Sequence, residues 1–137
     1  MGTLGVSETE PISRDWKDLT SFYLDETYRT DNLKYNQSLD ALGELCSWIS
    51  SSDYAKNLFA FTSHHRLNIF QRPHTYPECL LTQHLNLNPT EDGLVEFVFV
   101  DTFDEDKQWK RTANKDGICE RLEGFMLQVG WINHLAK

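Results

Sequence analysis

LVEFVFVDTF, Leu94 to Phe103, is the stretch on which the fold turns. Val95, Phe97 and Phe99 alternate onto one face and Leu94, Val98 and Val100 onto the other, with Glu96 the only interruption. Period-two alternation of β-branched and aromatic residues predicts a strand, and two apolar faces predict a place inside a sheet rather than at its edge. The flanks confirm an extended segment with tight ends. NPTEDG before it combines Asn-Pro with Asp-Gly, DEDK follows, and both are turn sequences.

Working outward, the same period recurs. ECLLTQHLNLN sets Leu81, Leu85 and Leu87 against Thr82, His84 and Asn86. RLNIFQR and NLFAFTS meet through Ser63, His64 and His65, with only the two histidines between them, which predicts a hairpin. RPHTYP cannot continue a central strand, because neither Pro73 nor Pro77 can donate to a ladder. QWKRT supplies a last strand beyond the acidic turn. The expected strands are therefore residues 57–63, 66–72, 78–88, 94–103 and 107–112, and their short connections favour an antiparallel meander.

Outside this region the period lengthens to 3.6. Trp16, Leu19, Phe22 and Tyr23 predict a helix over 13–28 with Ser13 as its cap. Leu39, Leu42, Leu45, Cys46 and Ile49 predict a second over 37–51, after a polar run from Arg29 to Asn36 that reads as a loop or a ragged helix start; Gly43 within it would let another helix approach closely. Ile118, Leu122, Phe125, Met126 and Val129 predict a third over 115–129, capped by Asn114 and stopped by Gly130, with Trp131, Ile132 and Leu135 folding back onto the core. The expected architecture is α+β: a flexible leader over 1–12, then a single domain over 13–137 whose helices pack on one face of the sheet.

Composition narrows the function. Hydrophobic residues make up 39% of the 137, enough to form a core without staples. Three cysteines, Cys46, Cys79 and Cys119, are odd in number and widely spaced, which argues for reduced thiols rather than a disulfide framework or zinc ribbon. No basic-then-apolar leader and no long apolar run is present, so the expectation is a cytoplasmic protein without a membrane partner. The net charge of −8 repels phosphate backbones and argues against nucleic acid.

The acidity is concentrated. Glu91, Asp92, Glu96, Asp101, Asp104, Glu105 and Asp106 occur without an intervening base, whereas residues 107–137 carry six bases against three acids. An EF-hand loop beginning at Asp101 would need Gly sixth and Glu twelfth, where Asp106 and Thr112 stand. Carboxylates at turn tips also lie in solvent rather than across a cleft, so a paired-carboxylate glycosidase is not indicated. What such a run does suit is electrostatic attraction of a cationic protein, with Trp109 as an adjacent aromatic anchor. A straight strand from Leu94 to Phe103 spans about 30 Å, so the run forms two tips rather than one assured patch.

The histidine-rich segment from Thr62 to His74 invites a metal reading, but adjacent His64 and His65 in a tight turn cannot easily aim at one ion. Cys79 and His84 fall on opposite faces of an extended chain. No G-x-S-x-G, H-E-x-x-H or glycine-rich phosphate loop occurs. The sequence thus points to a noncatalytic protein-binding module of the inhibitor, immunity-protein or chaperone type, with neither cofactor nor metal. Its expected partner is a basic protein or a second copy of the chain. The alternatives are a small enzyme or ligand-binding domain with a pocket between sheet and C-terminal helix, using His84, Cys79 or Arg72, and a structural homodimer closing over a sheet face.

Overall fold

The computed structural model describes residues 13–72, 83–101 and 109–132, and of Trp109 the backbone only. Helix α1 (Trp16–Leu24) and helix α2 (Leu33–Ser50) precede strands β1 (Phe59–Ser63), β2 (Arg66–Phe70), β3 (His84–Pro89), β4 (Val95–Val100) and β5 (Trp109–Ala113), and helix α3 (Ile118–Gln128) follows. The strands form one antiparallel sheet in the order β1-β2-β3-β4-β5, the meander expected from the short connections.

Register explains the core. Ala60, Ile69, Leu85 and Phe99 form one row across the ladder and Leu67, Leu87 and Phe97 the next; every one of them is buried. The three helices cover this face. Leu39, Leu42, Leu45, Cys46 and Ile49 form the buried stripe of α2, and Leu122, Phe125 and Met126 that of α3, where Phe125 meets Phe99 edge-on at 5.3 Å. Each large apolar side chain so buried contributes about 1.5–3 kcal/mol. At Gly43 a Cβ would fall 2.5 Å from Leu24 Cδ2, so α1 and α2 do approach through the glycine.

Several boundaries move for identifiable reasons. Asp15, not Ser13, caps α1 by accepting from the Lys17 amide at 2.7 Å, because Arg14 is held extended by its bond to the Ala60 carbonyl. The chain leaves the helix at Asp25, which caps a short 3-10 turn, Glu26–Tyr28. Helix α2 starts at Leu33, within the polar run expected as a loop or a ragged helix start, because Asn32 accepts from the Lys34 and Tyr35 amides. A second 3-10 turn, Asp53–Lys56, is capped by Ser52. Asn114 Oδ1 accepts from the Gly117 amide and so closes the turn ahead of α3 rather than the helix itself, whose N-cap is Gly117.

The end of α3 is as expected: Gly130 has φ +79°, and the Trp131 amide reaches back to the Met126 carbonyl at 2.8 Å. Trp131 and Ile132 pack against the core. Strand β4 is interior but β3 is central, and Val98 and Val100 on the far face are only half-buried. The expected 78–82 part of β3, residues 102–103 of β4 and residues 107–108 of β5 lie outside the described residues, as do residues 1–12 and Leu135.

Candidate partner-binding surface

The β3–β4 hairpin brings the first two acidic residues to a defined place. Thr90 and Leu94 close it through bonds between the Thr90 amide and the Leu94 carbonyl (2.9 Å) and between the Leu94 amide and Thr90 Oγ1 (3.1 Å). Gly93 takes φ +87°, the left-handed geometry that a glycine supplies at such a turn. Glu91 and Asp92 stand exposed at the tip. The turn is fastened to the start of α2: Ser38 Oγ donates to the Thr90 carbonyl at 2.8 Å, and Asn32 Nδ2 to the Glu91 carbonyl at 3.4 Å.

That docking sets the acidic tip at the start of α2, against Asn32, Lys34 and Gln37, in the same first turn as Leu33, the most exposed large hydrophobic among the described residues at 75%. Asp31 lies next to Asn32 and is exposed as well. Asp31, Glu91 and Asp92 make no ion pair among the described residues. Asp40 and Glu44, by contrast, are paired with Arg29 and Lys115. The surface is therefore an exposed apolar side chain set among Lys34 and carboxylates that make no ion pair among the described residues, and Leu33 and Asn32 are members that the acidic run did not reveal. Their signal was present in RTDNLKYN, where Leu33 falls off the apolar stripe of the helix that Asn32 caps.

Glu96 and Asp101 go elsewhere. Glu96 lies on the sheet face away from the helices, with Oε2 3.9 Å from Lys110 Nζ. Asp101 is 1% exposed and accepts from Gln83 Nε2 at 2.9 Å, so its expected place on a solvent-facing acidic surface is corrected: alternation at the end of β4 turns it inward. Asp104, Glu105 and Asp106 lie outside the described residues. Trp109 occupies the ladder position opposite Phe99, and its side chain lies outside the described atoms.

The histidine segment divides. His64 is exposed at φ +57° in the two-residue turn between β1 and β2, a conformation that favoured hairpin turns use. His65 is not a solvated turn residue. Its ring sits among Phe22, Tyr28 and Tyr35 at centroid distances of 5.5–6.1 Å, with Nδ1 2.7 Å from the Tyr35 hydroxyl, while the Tyr23 hydroxyl donates to its carbonyl at 2.9 Å. Partial burial, then neighbouring His64, holds the His65 pKa below the ordinary imidazole value. The hairpin tip is thereby clamped to α1 and α2.

His84 lies on the opposite sheet face from α3, stacked on Phe70 at 5.0 Å. His74 and Cys79 lie outside the described residues, and Arg72 is exposed beyond β2. Among the described residues no three His, Cys, Asp or Glu side chains are grouped to hold a metal ion. Burial pushes the Cys46 thiol pKa far up, and burial with Glu44, Glu123 and Glu120 pushes that of Cys119 up to about 11, which suppresses thiolate chemistry at either. Among the described residues no helix is long and apolar enough to cross a membrane. Comparisons with protein-family models, with curated proteins and with solved structures return no match.

Proposed function

We propose that the protein is a noncatalytic module that binds a basic protein partner through the surface formed by Leu33, Asp31, Glu91 and Asp92. The observation that carries this reading is the occurrence of a 75%-exposed leucine near carboxylates that make no ion pair among the described residues. Exposing an apolar side chain at the first position of a helix contributes nothing to the fold, while on a partner it removes apolar area from water. The flanking carboxylates accelerate encounter with a cationic surface and suppress encounter with an acidic one.

The homodimer reading has less support. On the sheet face away from the helices, Phe70 and His84 are already buried within one chain, which reduces the apolar area left for a second copy. The test is capture from native lysate at low and at raised salt, comparing wild type with Leu33→Ser and with Glu91→Lys/Asp92→Lys. A basic protein retained by wild type at low salt should be lost from both variants. Identical captured sets for all three proteins, or none sensitive to salt, would overturn the proposal.

A further inference from the structure

Three of the four large hydrophobic side chains that stand exposed among the described residues come from one short stretch: Leu24 ends α1 at 44%, Tyr28 lies in the 3-10 turn at 39%, and Leu33 opens α2 at 75%. The chain between them is laid along α2. Leu24 packs on Gly43, Arg29 pairs with Asp40, and Thr30 exchanges bonds with Asn36, its amide donating to Oδ1 at 2.9 Å and its carbonyl accepting from Nδ2 at 2.9 Å. Leu33, Asn36, Asp40 and Gly43 recur at three, four and three residues, a single stripe of that helix. From Leu33 to Gly43 the stripe rises about 15 Å.

The charge of this strip is one-sided. Asp25, Glu26 and Asp31 are exposed and make no ion pair among the described residues. Arg29, the base within the stretch, is already engaged by Asp40 and donates to the Tyr23 carbonyl at 3.0 Å, while Lys34, exposed next to Leu33, offsets one carboxylate. Tyr28 is held in place, its ring 4.8 Å from Phe22 and 5.5 Å from His65, so little side-chain freedom remains for it to lose on contact.

We propose that this strip seats an amphipathic basic helix of the partner, with apolar side chains on Leu24, Tyr28 and Leu33 and lysines or arginines on Asp25, Glu26 and Asp31. The inference rests on the partner-binding reading above and adds the partner's chemistry and its footprint. A helix fits because the strip is built from helix and 3-10 turn and offers no strand edge: an extended segment would find no ladder there, whereas a helix satisfies its own amides, and about three turns of it match the length. A second copy would set carboxylates against carboxylates, and an anionic membrane would be repelled.

The experiment is titration of the ¹⁵N-labelled protein with a synthetic leucine–lysine peptide of about four helical turns, its leucines recurring at three and four residues, and with a peptide of the same composition in scrambled order. Saturable shifts of the Leu24 to Leu33 amides are expected with the patterned peptide alone, and they should weaken as salt is raised. Tyr28→Ser and Glu26→Lys should each reduce affinity about fivefold or more; Glu26→Lys changes only an exposed side chain and leaves the fold intact. Equal shifts from both peptides, shifts centred elsewhere, or affinity unchanged in both variants would overturn the proposal. Weakening by Leu33→Ser with no effect of Tyr28→Ser or Glu26→Lys would overturn the helix strip and leave the Leu33 surface standing, whereas no effect of any of the three would overturn both.

Discussion

One chemical change, glycine to alanine, should have opposite effects at Gly93 and Gly124. At Gly93 the backbone has φ +87°, where an L-residue costs about 1–2 kcal/mol. The new methyl would lie 3.1 Å from Gln37 Oε1, the tip of a flexible side chain, and 3.4 Å from the Lys34 carbonyl, so crowding adds little. Loss of unfolded-state freedom returns about 0.4–1 kcal/mol, leaving a net destabilisation of about 1 kcal/mol. At Gly124 the backbone is helical and the methyl meets nothing, so alanine should stabilise by about 1 kcal/mol. The two variants should then differ by about 2 kcal/mol, or about 6–10 °C in Tm for a chain of this size. Urea unfolding followed by far-ultraviolet circular dichroism measures the difference, with unchanged m-values showing that stability alone has moved. A Gly93→Ala protein as stable as wild type would mean that the β3–β4 turn does not hold this geometry, and the position of Glu91 and Asp92 at the start of α2 would fall with it.

Two further outcomes follow from the titratable groups. Because the folded chain holds the His65 pKa below 6.5, the unfolded chain takes up the proton first as pH falls. Stability is complete above the unfolded value, declines below it, and the loss is complete below the folded value; His65→Phe, which keeps a ring without a titration, should show a flatter Tm between about pH 7 and pH 5. Coincident pH profiles would remove His65 as a source of acid sensitivity. With its thiol pushed up to about 11 from an ordinary value of 9.0, native Cys119 should react with iodoacetamide at about pH 8 roughly 100-fold more slowly than in urea. Peptide mapping that finds Cys119 labelled equally fast in both states would show that its surroundings are not those described.

The sheet was legible because alternation is a direct consequence of strand geometry and survives whatever the strands pair with: Val95, Phe97 and Phe99 share a face in the sequence and in the core. Strand order followed from the tendency of consecutive strands to pair as neighbours when their connections read as short. The ends of helices were less legible, because they depend on which polar side chain captures a free amide. Ser13 and Asp15 are both competent caps, and the choice between them is made by Ala60, forty-five residues beyond Asp15, whose carbonyl holds Arg14 extended. Likewise, α2 begins at Leu33 because Asn32 captures the Lys34 and Tyr35 amides, and the docked β3–β4 turn helps hold Asn32 there.

The same logic separates a run of charge in sequence from a patch of charge in space. Strand β4 is six residues long and spans about 20 Å, so it carries Glu91 and Asp92 to one end and Asp101 to the other. Alternation places Glu96 on the far face with Lys110, and burial removes Asp101 from solvent. Of the four described acids of the run, two thus belong to the surface proposed here, while its apolar member comes from a helix more than fifty residues earlier. What brings them together is a pair of hydrogen bonds, from Ser38 and Asn32, onto the carbonyls of one turn. Composition identifies the residue types from which a binding surface is made; long-range polar contacts of this kind decide which of them share it.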